Sequence, residues 1–196
     1  MTATKGDERR TALLAALDDQ LQESSLDAIN VADISRRAGV TRSAFYFYFE
    51  NKAAAVAALM GDMYDEGFDA AEQLGGDGSM RDRVETAIRA IFVGWGERTH
   101  LYRAMLDARA TSPGVRDQWD AFQQSFIGVL ADVIESERAA GVAPGGVDAR
   151  AVATALLDLN DRTLARVVRA PEGFDWGAHI DAVVHVWLSS IYGRIQ

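Results

Sequence analysis

Apolar side chains recur every three or four positions along almost the whole chain, and runs alternating apolar with polar are nearly absent. That period belongs to amphipathic helices and not to strands. Between Arg9 and Glu23, the residues Leu13, Leu14, Leu17 and Leu21 mark the buried stripe of a first helix. Asn30 is placed to cap a second, with Asp33 three residues on as a shortened capping box. This helix is predicted from about Val31 to Ala38, with Val31, Ile34 and Ala38 inward. Gly39 stands where a left-handed residue ends a helix. Thr41 is placed to cap a third, short helix over Arg42–Tyr48, and Asn51 a fourth, long one from Lys52 toward Leu74.

The stretch GGDGSM at 75–80 reads as a linker, either a flexible joint or a plain loop. Beyond it the pattern predicts helices over Arg81–Gly96, His100–Thr111 and Pro113–Ala139, the last opened by its proline and ended by GVAPGG at 141–146. Val147–Arg169 and Trp176–Tyr192 complete the series, with PEGFDWG between them. The expected fold class is therefore all-α, about nine helices, without internal repeats. It divides into a helix-turn-helix domain over 1–51 and a larger helical domain over 52–196.

Composition narrows the chemistry. The 196 residues are 48% hydrophobic, enough for a real core without a metal or disulfide staple, and contain no cysteine. Thiolate zinc sites, iron–sulfur clusters and cysteine nucleophiles are thereby excluded. No other metal or cofactor signature is visible. MTATKGDERR carries no apolar segment of a secretory signal, and no apolar run reaches membrane-spanning length, so a cytoplasmic location away from membranes is expected.

The formal net charge of −9 argues against coating nucleic acid through bulk charge. Its distribution matters more. Residues 1–60 hold seven Lys or Arg against eight Asp or Glu, a net of −1, and residues 61–196 hold 13 against 21, a net of −8. Within the first part, residues 34–49 carry Arg36, Arg37 and Arg42 and no acid.

Two short helices joined at a glycine are a helix-turn-helix candidate. Ala38 is small enough for a close crossing, Gly39 accepts positive φ, and Val40 is expected to plug the angle between the helices. The second helix opens with Thr41-Arg42-Ser43-Ala44 and continues into five aromatics, Phe45 to Phe49. A helix cannot turn all five inward. Phe45 and Phe49, four apart, are expected in the core, and Tyr46 and Tyr48 are expected to reach phosphates from the flanks. Phe47 is left partly exposed for sugar or a thymine methyl. Lys52 joins a cation to the free N–H groups of a helix start, a combination suited to clamping phosphate.

Gly39-Val40-Thr41-Arg42, Phe45-Tyr46-x-Tyr48-Phe49 and Asn51-Lys52, preceded by Val31-Ala32-Asp33-Ile34, together resemble the N-terminal signature of TetR-family transcriptional repressors. Ser43 departs from the Gly or Pro common there. The resemblance implies an all-helical homodimer binding double-stranded operator DNA. Arg42, Ser43 and Ala44 would then face bases, and Thr41, Tyr46, Tyr48 and Lys52 would hold the backbone. Further segments extend the likeness: Ala108-Arg109-Ala110-Thr111-Ser112, Val133-Ile134-x-x-Glu137-Arg138, Ala153-Thr154-Ala155-Leu156, Asn160-x-Arg162-Thr163-Leu164 and His185-x-Trp187-x-x-Ser190-Ile191-Tyr192-Gly193. These are similar to the ethionamide-resistance repressor subgroup, which implies a long apolar channel for a hydrophobic small-molecule effector.

From the residues alone, the C-terminal part is rich in Trp95, Tyr102, Trp119, Phe122, Phe126, Trp176, Trp187 and Tyr192, any one of which also serves plain core packing. Ile91 with Trp95, and Phe122 with Phe126, form i,i+4 pairs, and Asn160 is an amide among leucines that needs a buried partner. The subgroup resemblance places Ile91, Trp95, Phe122, Phe126, Asn160 and Trp187 along the channel. Leu157 and Ala165 stand where it would supply asparagine and phenylalanine, which removes one polar anchor and widens one end.

The last two helices are expected to form the dimer interface, Ala151, Ala155 and Ser189 allowing close approach beside Val183, Val184 and Leu188. The same apolar faces also suit the protomer's own core. An enzyme is the first rival reading. His100, His179 and His185 are the only histidines, and HExxH, GxSxG and phosphate-loop motifs are absent. A helical interaction protein that has lost DNA binding is the second, and the intact 41–52 segment argues against it.

Overall fold

In a computed structural model of the chain, residues 5–61, 79–170 and 174–193 are described below. Among them lie nine helices and no strand: α1 (Lys5–Glu23), α2 (Val31–Arg37), α3 (Arg42–Tyr48), α4 (Lys52–Leu59), α5 (Met80–Glu97), α6 (Thr99–Thr111), α7 (Pro113–Ala139), α8 (Ala149–Val167) and α9 (Trp176–Tyr192). The expected run of the fourth helix toward Leu74, most of the 75–80 linker and the PEG of PEGFDWG fall outside the described residues.

Capping fixes the starts. The side chains of Asn30, Thr41, Asn51 and Asp148 accept from Asp33 N, Ala44 N, Ala54 N and Ala151 N at 3.0, 3.2, 2.8 and 2.8 Å. Each satisfies one of the donors that a helix start leaves orphaned. Asp175 does the same for Ala178 N at the start of α9. At α2 the two cap side chains are joined to each other, Asn30 Nδ2 donating to the Asp33 carboxylate, in place of the reciprocal backbone bond of a full capping box.

The turn after α2 is a Schellman closure. Val40 N donates to Ser35 O at 2.9 Å and Gly39 N to Arg36 O at 3.2 Å. Gly39 has φ +67°, the left-handed conformation this closure requires. The helix ends at Arg37, one residue short of expectation, because Ala38 is already its C-cap. Ala38 and Val40, expected inside the crossing, are only half-buried. The buried small residue is Ser35, whose hydroxyl donates to Val31 O at 2.8 Å and so enters the core without an unsatisfied group.

The chain divides into two compact units. The first holds α1–α4, α6 and the start of α7 as far as Trp119. Leu13, Leu17, Ile34, Phe45, Val56, Tyr102 and Met105 are at most 1% exposed and form its centre. Ala53, Ala55 and Ala57 are buried on α4, which packs against α1 and α6. His100 of α6 meets Asp18 of α1 at 2.8 Å.

The second unit holds α5, the remainder of α7, α8 and α9, and α9 packs against both α5 and α8. Ala149, Ala153, Leu156, Asn160, Leu164 and Val167 form the inward stripe of α8, and Ile180, Val183, Val184, Trp187, Leu188 and Ile191 that of α9. Val183, Val184 and Leu188 therefore belong to the protomer's own core. Among the residues expected at a dimer seam, Ala151 and Ala155 are exposed, in contrast to the buried Ala153, and Ser189 is half-buried. Arg89 of α5 bridges Glu85 at 2.9 Å and Asp181 of α9 at 2.7 Å on the surface.

At Gly39 an added Cβ would meet nothing within 4 Å, so the cost of a side chain there is conformational alone. Gly39→Ala is expected to lower unfolding stability by about 1–2 kcal/mol. Gly39→Asn, better tolerated at positive φ, should lose less. Urea denaturation followed by circular dichroism ranks the two, and equal losses would show that the turn relaxes out of its left-handed geometry.

Candidate nucleic-acid interface and effector region

The helix-turn-helix is built from α2, the turn at Gly39 and α3. Phe45 and Phe49 are 0% and 5% exposed, with ring centroids 5.5 Å apart, and they anchor α3 to the unit beneath. That anchoring decides what the other face presents. Thr41, Arg42, Ser43, Tyr46 and Phe47 are exposed, and Ala44 and Tyr48 half-buried. Phe47 is 81% exposed, a large apolar ring that folding leaves in water. Tyr48 packs edge-on to it, with centroids 5.0 Å apart.

Arg42 is laid along its own helix. Its Nη2 donates to Tyr46 Oη at 3.3 Å, and its guanidinium lies 5.6 Å from the Tyr46 ring centroid. Neither contact neutralises the charge, and no carboxylate pairs with Arg42 among the described residues. The side chain is thus held outward and still cationic, with donors of the guanidinium fork left open to acceptors.

Lys52, expected as a phosphate clamp, reaches back from the start of α4 to the backbone of the α1–α2 connection. Its ammonium donates to Leu26 O at 2.6 Å, to Ile29 O, and to Asp27 O at 3.4 Å. All three N–H donors of the group are directed at carbonyls of the α1–α2 connection. The sequence carried no signal for this, because the carbonyls lie 23–26 residues upstream.

The acid-free stretch 34–49 also changes character in three dimensions. Arg36 is ion-paired with Asp33, and Arg37 with Glu23 at 3.4 Å. Both acids lie outside the stretch in sequence and beside it in space. Of its three arginines only Arg42 is left without a carboxylate partner among the described residues.

In the second unit Asn160 finds the buried partner that its surroundings demand. Trp187 Nε1 donates to Asn160 Oδ1 at 3.0 Å, with the residues 6% and 5% exposed. Only tertiary structure joins the two across 27 positions. Trp95 is buried, whereas Ile91, Phe122, Phe126 and Leu157 are half-buried. Phe122 and Phe126 stack edge-to-face with centroids 4.7 Å apart.

A solvent-exposed second helix behind a Schellman turn, in a chain whose described residues are helical, is the helix-turn-helix architecture of DNA-binding proteins. Residues 13–59 match the model of the bacterial regulatory proteins of the tetR family, and residues 84–193 match that of the transcriptional regulator EthR C-terminal domain. The chain is 35% identical over 193 residues to the HTH-type transcriptional regulator EthR of Mycobacterium tuberculosis, covering 96% of this chain and 89% of the relative. It is 32% identical over 195 residues to EthR of Mycolicibacterium smegmatis, with 97% and 89% covered. Among solved structures, it is similar to the fatty acid degradation regulator FadR from Bacillus halodurans, with a TM-score of 0.78 at 16% identity, covering 99% of this chain and 100% of that one. It is also similar to FadR from Bacillus subtilis in complex with stearoyl-CoA, with a TM-score of 0.76 at 17% identity, covering 94% and 99%. The chain belongs to the TetR family of bacterial transcriptional regulators, with a C-terminal domain of the EthR type.

Two substitutions check the geometry. Lys52→Met takes the donor from the part-buried carbonyls of Leu26 and Ile29 and is expected to cost about 2 kcal/mol of stability, since hydrogen bonds from charged donors are the stronger kind. Trp187→Phe leaves a buried amide oxygen unpaired and is expected to cost about 1–3 kcal/mol. Chemical denaturation of the full chain measures both, and a Lys52→Met variant as stable as the parent would mean that water serves those carbonyls equally well.

Proposed function

We propose that this regulator is a ligand-released repressor, in which residues 1–51 read operator DNA and residues 52–196 bind the effector and form the homodimer. The observation that carries the proposal is the division of the five aromatics. Phe45 and Phe49 are spent on anchoring, so Arg42, Ser43 and Ala44 lead an otherwise open helix toward the major groove. In this reading Arg42 makes the principal base contact, and Thr41, Tyr46 and Tyr48 position the backbone. Phe47 packs on sugar or on a thymine methyl. Lys52 contributes through the loop it holds and through its field.

The effector is a long apolar molecule carrying one hydrogen-bonding group. Its binding region comprises Ile91, Trp95, Phe122, Phe126, Leu157, Asn160 and Trp187. The pair of Asn160 with Trp187 supports this, because it uses the amide's oxygen and, among the described residues, none accepts from its nitrogen, which is then a donor for a ligand. A relative of the same fold crystallised with stearoyl-CoA, a molecule with a long apolar chain, is in keeping with that class. The protein acts without catalysis, in the cytoplasm.

The dimer forms through α8 and α9, and with Val183, Val184 and Leu188 committed inside the protomer, the partner meets Ala151, Ala155, Ser189 and Val186. Val186 is 42% exposed, which supports that choice of face. Two recognition helices must sit one DNA turn apart, ~34–36 Å, to enter successive major grooves. An effector releases the operator only to the extent that it binds the spacing-incompatible conformer more tightly.

An electrophoretic shift on the chain's own upstream DNA tests the DNA half. Arg42→Ala is expected to abolish the specific complex while leaving the fold intact. Equal weakening on all sequences would instead make Arg42 a phosphate contact. For the effector half, fatty acids and acyl thioesters of graded chain length are expected to raise the melting temperature. Asn160→Ala and Phe126→Ala should each cut that rise, and unchanged shifts in both variants would move the effector elsewhere.

A further inference from the structure

We infer that Arg36 and Arg37 are phosphate contacts of this regulator, and that Asp33 and Glu23 are built-in competitors for them. The inference rests on the DNA-reading head proposed above and assigns it residues outside the 41–52 segment.

In a helix-turn-helix the first helix crosses the sugar–phosphate backbone while the second enters the groove. Here the first helix is α2, and Arg36 and Arg37 are its only cations, both exposed, in its last turn before the Gly39 closure. Their side chains line an open groove of about 310 Å³ together with Asp33, Glu23, Gln20 and Ser24. These four neighbours surround the guanidinium pair with hydrogen-bonding groups, and the groove has room for a phosphodiester.

Magnitudes decide which cation is free to exchange partners. The side chains of Arg36 and Asp33 are 80% and 38% exposed, and those of Arg37 and Glu23 are 43% and 66% exposed. Exposed pairs of this kind are individually weak and easily screened by salt. Lys52 is different, since turning outward would abandon three carbonyls at once. A phosphate approaching the head therefore displaces Asp33 and Glu23 from their arginines and leaves Lys52 in place. The arginine fork then meets phosphate oxygens in the geometry it met carboxylate oxygens.

The competition has a consequence for selectivity. On unrelated DNA, where Arg42 finds no matching base, each phosphate contact must first break an ion pair and leave a carboxylate beside the backbone. At the operator, base contacts fix the register in which both arginines meet phosphates, so the exchange is completed there and only in part on unrelated DNA. Asp33 and Glu23 thus lower non-specific affinity more than specific affinity.

The test uses the full-length protein and fluorescence anisotropy, on the operator and on a duplex of unrelated sequence, between about 50 and 200 mM salt. Arg36→Gln with Arg37→Gln is expected to weaken operator binding and to flatten the salt dependence of log K by about 0.9 for each phosphate no longer neutralised. Glu23→Gln with Asp33→Asn is expected to tighten binding to unrelated DNA several-fold. Adding the two arginine changes should cancel that gain. Asp117→Asn with Asp120→Asn, which alters net charge equally on exposed residues of α7, should produce a smaller gain.

An operator affinity and salt slope unmoved by the arginine changes would overturn the contact assignment. A gain that survives those changes, or is matched by the α7 control, would overturn the competition. Arg42→Ala separates this proposal from the head itself. If Arg42→Ala abolishes operator binding while the arginine pair does nothing, only the present inference falls. If the folded parent protein binds no operator, the DNA-reading assignment falls with it.

Discussion

The ammonium of Lys52 holds the reading head together. Seen from α4, it caps nothing of its own helix. It reaches back to the carbonyls of Leu26, Asp27 and Ile29, where the chain has left α1 and not yet begun α2. That connection buries the side chains of Leu26 and Ile29, and their carbonyls, part-buried, find a donor in Lys52. One cation satisfies them and fixes where α2 begins. The start of α2 sets the position of its Schellman turn, and the turn sets the direction of α3. The burial of Phe45 then decides which face of α3 is left exposed.

Much of this architecture is legible in the sequence because its signals are local. Asn30, Thr41, Asn51 and Asp148 are capping residues whose partners lie three positions away. Gly39 announces positive φ, and the 3.6-residue stripes announce α8 and α9. The split of the five aromatics is legible too, because a helix of seven residues has only one buried face. What escapes the sequence is pairing across distance. The roles of Lys52, of Glu23 beside Arg37, and of Trp187 beside Asn160 each depend on partners at least 14 residues away, and residue type alone does not specify them. Ala38 and Ser35 exchange places for a subtler reason. The helix ends one residue early, and a buried serine that bonds its own backbone packs as readily as an alanine.

The surroundings of Asn160 are legible as residue types and less as geometry. An asparagine among leucines requires a partner, and the indole N–H of Trp187 is a donor without acceptor capacity, so each completes the other. The pairing leaves the amide's donor side uncommitted to any described residue. A buried amide with one side satisfied suits a ligand acceptor, whereas a fully satisfied amide would only specify the core.

Net charge speaks against nucleic acid at first sight, and the local +3 stretch from 34 to 49 answers it only in one dimension. The fold alters both statements. Two of the three charges are met by Asp33 and Glu23, so the head approaches DNA with Arg42 as the uncompensated cation of that stretch. Electrostatic attraction that is independent of sequence grows with the number of phosphates neutralised, whereas base contacts do not depend on it in the same way. The first acts on both kinds of complex, so the ratio of specific to non-specific affinity rises only where base contacts fix the register that completes the arginine–phosphate exchange, even though absolute affinity falls. An acidic body works in the same direction by repelling the duplex wherever base contacts do not offset it. For a regulator searching a genome that ratio is the functional quantity, because unrelated sites outnumber the operator by about 10⁶ or more. Acidity in this chain is therefore compatible with DNA binding so long as the recognition helix carries the specificity. Two weak, exposed ion pairs are suited to that task, since a stronger pair would withhold its arginine from the operator as well.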